Sequence, residues 1–155
     1  MGARVALEAL FYNNAPFLSL TCLCPTLEVN DREKRIKEET MWKETLSKST
    51  IKDFINYWYK NPIFAGFTIP KHRYKQNKAD LLKVMDEYSI LNMPPLLEKI
   101  QSTSTRVGFI YKKNDQKASP LNKYPHLHFI DATSHAIHIE NSNECSSHIK
   151  SILLL

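Results

Sequence analysis

Three short apolar runs constrain this chain more than any other feature: residues 17–23 (FLSLTCL), 106–111 (RVGFIY) and 127–130 (LHFI). Each is too short for a stable helix, and the first suits a strand buried on both faces of a parallel sheet. Helical patterns separate and flank the runs. Strands alternating with helices imply parallel βαβ units, so the expected fold class is α/β, with about three parallel strands and flanking helices.

The helical segments differ in kind. Residues 1–12 (MGARVALEALFY) predict a helix that is apolar nearly all the way round, broken only by Arg4 and Glu8 and ended by the Asn13-Asn14-Ala15-Pro16 breaker. Between the first and second strands the chain is helical throughout. A helix over about 30–48, capped by Asn30 or Asp31, carries Ile36, Met41 and Leu46. A second, from Thr50 to Tyr59, aligns Ile51, Phe54, Ile55 and Trp58 on one stripe. A third, over about 71–90, carries Leu81, Leu82, Val84 and Met85. Pro94-Pro95 breaks the chain before a short apolar turn, 96–100. Residues 26–100 therefore predict an all-helical insertion within a single α/β domain, and a last helix runs over about 143–154.

Composition narrows the function classes. The chain has 155 residues, 43% hydrophobic and 24% charged, as one soluble globular domain would. Its 21 basic and 16 acidic residues give a net charge of +5, but the basic residues are scattered, without the dense block of a nucleic-acid arm. A small anionic ligand fits that balance, and nucleic acid is not an expected partner. Cys22, Cys24 and Cys145 are odd in number, show no CxxC spacing and follow no signal peptide, which points to reduced thiols in a cytoplasm. No apolar run approaches the roughly 18 residues that a membrane span needs.

In open α/β sheets, ligands bind beyond the carboxyl ends of the strands. Two titratable residues fall there: Asp115, closing FIYKKND after one strand, and His135, in DATSHAIHIEN after the next. An acid after one strand and a His after the following one is the tail of a Ser…Asp…His order. In such a set the Asp fixes the imidazole tautomer and the His moves protons. Against this stand plainer readings: an Asp in a turn commonly bonds its own backbone, and His135 with His138 could be a surface pair or half a metal site. His126 and His128 alternate along a strand, and no metal site is expected.

In this order along nearly the whole chain, MGARVAL, CPTLEVNDREKR…MW, FINYWYKNPIFAGF, RYKQNKADL, MPPLLEKI, KKNDQK and SHAIHIENS resemble segments of one family. It is the α/β-hydrolase-fold synthase of 2-succinyl-6-hydroxy-2,4-cyclohexadiene-1-carboxylate, from menaquinone and phylloquinone biosynthesis. FINYWYKNPIFAGF is the most specific match, close to that family's D-W-Y-x-x-P-x-F-A-S cap motif. The resemblance implies a carbon–oxygen lyase that eliminates pyruvate on a hydrolase scaffold, with no metal or organic cofactor. It implies His135 as triad base, Asp115 as its orienter, Arg4 and Arg32 as holders of substrate carboxylates, and Trp58 as lining of the cap side. Met1 would stand just after the nucleophile, its backbone N–H serving an oxyanion hole.

Apart from the family, Arg4 pairs plausibly with Glu8 one turn on, Arg32 reads as a solvated helix-start residue, and Trp58 as core. Three departures from the family pattern surround the triad candidates: Lys112-Lys113-Asn114 for G-E-R, Ser134 for the Gly before the His, and Ser142 for the Pro after E-N. The resemblance starts after the nucleophilic Ser. The expectation is therefore the C-terminal part of the enzyme, inactive alone and in want of an N-terminal half. The competing expectations are another α/β-hydrolase-fold enzyme, such as an esterase or C–C hydrolase, and an inactive remnant that at most binds an acidic ligand.

Overall fold

The computed structural model describes residues 2–12 and 17–154, with side-chain burial given through 153. It divides into two compact units, one formed by residues 1–28 and 95–155 and the other by residues 29–94.

The first unit is built on a three-stranded parallel sheet in the order β1-β2-β3, with β1 Ser19–Leu23, β2 Arg106–Lys112 and β3 Leu127–Ile130. Register runs from Ser19 opposite Arg106 to Leu23 opposite Ile110, and from Phe109 opposite Leu127 to Lys112 opposite Ile130. The central strand explains its own sequence. Val107, Gly108, Phe109, Ile110 and Tyr111 are all buried, as an uninterrupted apolar run covered on both faces requires.

Helix α1, Gly2–Phe11, buries Leu7 and Leu10 but leaves Val5 49% exposed. Among the described residues only one stripe of that helix is covered, less than its nearly all-round apolar sequence suggested. The core continues through Leu27, Leu96, Ile100, Leu121, Ile130, Ile137, Cys145 and Ile152. Deep in it, the Tyr111 hydroxyl donates to the Pro25 carbonyl at 2.9 Å. Gly108 is where β2 meets the last helix: a Cβ there would fall 2.5 Å from Ile152 Cδ1. A glycine inside a strand commonly marks such a close approach.

The second unit is helical. Its helices are α2 Arg32–Lys48, α3 Ile51–Trp58 and α4 Lys78–Glu87. Asp31 caps α2 by accepting from the Lys34 N–H at 2.9 Å, Thr50 caps α3 through the Asp53 N–H, and Asn77 caps α4 through the N–H groups of Ala79 and Asp80. Leu46, Phe54 and Ile55 are its buried centre, with Trp42, Trp58, Leu81, Leu82 and Met85 packed around them. Two sequence expectations are corrected here. Ile36 and Met41 are 46% and 44% exposed, so α2 contributes Leu46 and Trp42 rather than a full apolar stripe. The helix expected over 71–90 is instead a 3₁₀ turn, Lys71–Lys75, followed by α4, because the Asn77 cap starts a new helix; Val84 on α4 is exposed.

Returning to the first unit, α5 spans Leu97–Ser102 and precedes β2. A 3₁₀ turn, Gln116–Leu121, joins β2 to β3. After β3 come a four-residue helix, α6 Ile137–Glu140, and then α7 Ser142–Leu154, which starts one residue before its expected position. Among the described residues no helix is long and apolar enough to cross a membrane.

Candidate active site

The carboxyl ends of the three strands gather the titratable groups that the loops supply. Cys24 follows β1, with φ at +45° in the left-handed region, and its N–H donates to the Ile110 carbonyl at 2.9 Å. The thiol is buried, and burial pushes its pKa up.

After β2, Asn114 takes the left-handed conformation (φ +62°) that Asn tolerates better than most residues, and Asp115 follows it. Asp115 caps the following 3₁₀ turn. Its Oδ1 accepts from the Lys117 N–H at 3.1 Å, and the Lys117 ammonium stands 3.6 Å from its Oδ2. The Asp115 side chain is only 6% exposed. Lys117, two residues on in the sequence, is thus a charged partner of the Asp.

His135 stands half-buried between β3 and α6. Its pKa is lowered, first by burial and then by the Lys117 ammonium, with the Asp115 carboxylate pulling the other way. Asp115 and His135 therefore feel each other's charge, yet among the described residues no hydrogen bond joins them. A lowered pKa leaves the imidazole neutral, and so able to take a proton, at neutral pH.

Three more residues shape the His135 loop, and the sequence singled out none of them for that task. Glu140, at the end of α6, accepts hydrogen bonds from the Thr133 N–H at 2.7 Å, the Thr133 hydroxyl at 2.8 Å and the Ser134 N–H at 2.8 Å. These bonds hold its carboxyl at about 2. Lys112 donates to the Thr133 carbonyl at 2.9 Å, and Lys113 pairs with Asp131 at 3.3 Å. Two residues of the first departure, Lys112 at the end of β2 and Lys113 just after it, thus tie that end of β2 to the loop after β3. Ser134 fits without strain: it is absent from the positive-φ residues, and its hydroxyl accepts from the Ala136 N–H at 3.2 Å. No local periodicity could announce Glu140, since a helix of four residues is too short to leave one.

Of the remaining sequence candidates, Arg4 is buried on α1. It donates to Glu8 at 3.2 Å and to the carbonyls of Thr26 and Leu27 at 3.1 and 2.8 Å. Arg32 is exposed at the start of α2 and donates to the Leu91 carbonyl at 3.2 Å. Trp58 lies in an aromatic cluster, with ring centroids 4.5 Å from Trp42, 5.8 Å from Phe54 and 6.2 Å from Phe64. Arg32 and Trp58 belong to the helical unit, and Arg4, Asp115 and His135 to the sheet unit. Met1 lies outside the described residues. Among the described residues no three His, Cys, Asp or Glu side chains are grouped so as to hold a metal ion.

The chain is similar in fold to the structure of MenH from S. aureus, with a TM-score of 0.75 and 21% sequence identity. The similarity covers 98% of this chain and 64% of that protein, so the chain spans a little under two thirds of its length. No family model matches the chain, and no curated protein does. MenH is the 2-succinyl-6-hydroxy-2,4-cyclohexadiene-1-carboxylate synthase, and the shared architecture is an α/β-hydrolase fold, seen here as three parallel strands with flanking helices.

Proposed function

We propose that this chain is the C-terminal portion of a menaquinone-branch lyase, acting in the cytoplasm on a small polyanionic cyclohexene carboxylate. What supports the reading is that Asp115 follows β2 and His135 follows β3, adjacent parallel strands of a MenH-like fold. In the proposed reaction a proton leaves the substrate ring for the His135 system. The carbon–oxygen bond to the enolpyruvyl group then breaks, and the departing enolpyruvate takes up a proton to become pyruvate. Asp115 orients the imidazole and stabilises its cationic form. Arg4 and Arg32 hold substrate carboxylates, because guanidinium forks bind carboxylates in pairs of hydrogen bonds. Trp58 lines the cap side of the pocket, and the Met1 backbone N–H serves the oxyanion hole.

One observation favours a second reading, a binding remnant without turnover. The hydrogen bond that Asp115 accepts comes from Lys117 rather than His135, and Arg4 is engaged with Glu8 and two carbonyls. The two readings part in one assay. The protein is expressed from the whole open reading frame in which these residues lie and is given the succinyl-enolpyruvyl substrate. Pyruvate release is followed by coupling to lactate dehydrogenase and NADH. Release that His135→Ala abolishes supports the lyase; turnover unchanged in His135→Ala, or no release from the folded protein, rejects it.

A further inference from the structure

We propose that Glu140 is the positioning residue of His135, a carboxylate clamp that fixes the backbone on which the imidazole is carried. The clamp grips the loop immediately before the His. Glu140 Oε1 takes both the N–H and the hydroxyl of Thr133, and Oε2 takes the N–H of Ser134. Two successive backbone N–H groups converging on one anion form a small anion-binding concavity, here filled from within the chain.

The far side of the His is held as well. The Ala136 N–H donates to the Ser134 hydroxyl at 3.2 Å, and the Ala136 carbonyl accepts from the N–H groups of Ile139 and Glu140 at 2.9 and 3.1 Å. His135 therefore sits between two residues whose backbone groups are tied, directly or through one turn of α6, to Glu140. From the sheet side Lys112 Nζ holds the Thr133 carbonyl, so Thr133 is gripped at both of its peptide groups. The depressed carboxyl of Glu140, caused first by the Ser134 N–H and then by the Thr133 N–H, is what such a site does to its anion.

The catalytic consequence rests on the reading of His135 as the base, but the clamp itself does not. The test therefore has two arms on the full chain. In the first, the His135 ring is followed by NMR through a pH titration, with folding checked by circular dichroism. Glu140→Gln keeps one acceptor oxygen and turns an NH₂ donor on either Thr133 or Ser134. It is expected to move the His135 chemical shifts and titration midpoint while His126 and His148, elsewhere in the sheet unit, stay in place. Glu140→Asp, which keeps the charge, restores part of the change. Thr133→Val removes only the hydroxyl bond and gives a smaller shift in the same direction, and it serves should Glu140→Gln fail to fold. In the second arm, pyruvate release by the protein from the whole reading frame loses about 10- to 100-fold in kcat with KM within about two-fold, the pattern of a displaced reacting group. A folded Glu140→Gln or Thr133→Val protein whose His135 titration matches the parent overturns the proposal. Altered titration in a protein that releases no pyruvate upholds the clamp and rejects the lyase.

Discussion

Gly108→Ala adds one methyl group at the tightest point of the sheet unit. Its Cβ would lie 2.5, 2.7 and 2.8 Å from Cδ1, Cγ2 and Cγ1 of Ile152, where carbon atoms ordinarily keep about 3.5–4.0 Å. The overlap of about 1 Å cannot be relieved by a simple swing, because Ile152 is fully buried and a β-branched side chain in a helix has essentially one χ1 rotamer. Either α7 moves off β2 or the strand bends. Overpacking of this kind costs about 1–3 kcal/mol, and removing a strand glycine returns about 0.5–1 kcal/mol, leaving a net loss of up to about 2.5 kcal/mol. Ile152→Val deletes Cδ1, the nearest atom, and alone costs about 0.5–1.5 kcal/mol. Because the two changes meet at one contact, the double variant is expected to be more stable than the sum of the singles predicts, by about 0.5 kcal/mol or more. The assay is urea unfolding by far-ultraviolet circular dichroism, with amide exchange of Val107–Tyr111 as the readout specific to β2. Trp42 and Trp58 both lie in the helical unit, so their emission is the wrong probe for this change. An unchanged midpoint for Gly108→Ala, or strict additivity in the double variant, refutes the packing of α7 on Gly108.

Tyr111→Phe leaves the buried Pro25 carbonyl without its donor and is expected to cost about 1–3 kcal/mol by the same urea assay. Leu46→Ala empties the centre of the helical unit and is expected to cost about 2–5 kcal/mol, read by tryptophan emission because both indoles flank that residue's cluster. The folded pKa of His135 lies below 6.5, so the unfolded chain binds the proton first as pH falls. This contribution to stability is whole above about 6.5 and is lost as pH drops towards the folded value. His135→Gln is expected to flatten the slope of melting temperature against pH in that window. On the proposed lyase reading, the acid limb of pyruvate release is likewise expected below 6.5.

Much of the fold was readable because its signals are physical and local. The run from Val107 to Tyr111 is continuous and apolar since β2 is covered on both faces, and helical stretches between strands leave little but parallel pairing. Asp31, Thr50 and Asn77 stand where free N–H groups need acceptors, though only Asp31, with Asn30 as the alternative, was read as a cap from the sequence. Asn77 hid inside a charged stretch, and without it the 3₁₀ turn and α4 read as one helix. Ile36 and Met41 misled for a related reason: apolar residues in a charged helix signal a buried face only if something covers it, and the covering elements are set by tertiary packing.

At the candidate site, residue types were legible and their partners were not. Asp115 and His135 could be found from their places after two strands, but whether the carboxylate bonds an imidazole or its own turn depends on a few ångströms of loop. Here the N–H of Lys117, two residues on, donates the hydrogen bond that the carboxylate accepts. The same holds for the substitutions that set this chain apart from the family it resembles. As letters, Lys112 and Lys113 in place of G-E subtract from the match. As side chains, they reach the Thr133 carbonyl and the Asp131 carboxylate, and so brace the loop that Glu140 grips from the other side. Ser134 adds to that grip a hydroxyl that accepts from the Ala136 N–H, a bond that a Gly before the His could not make. The loop has exchanged a permissive backbone for cross-links. If the clamp positions His135, the Lys112 and Lys113 bonds and the Ser134 hydroxyl brace the same loop from its other sides.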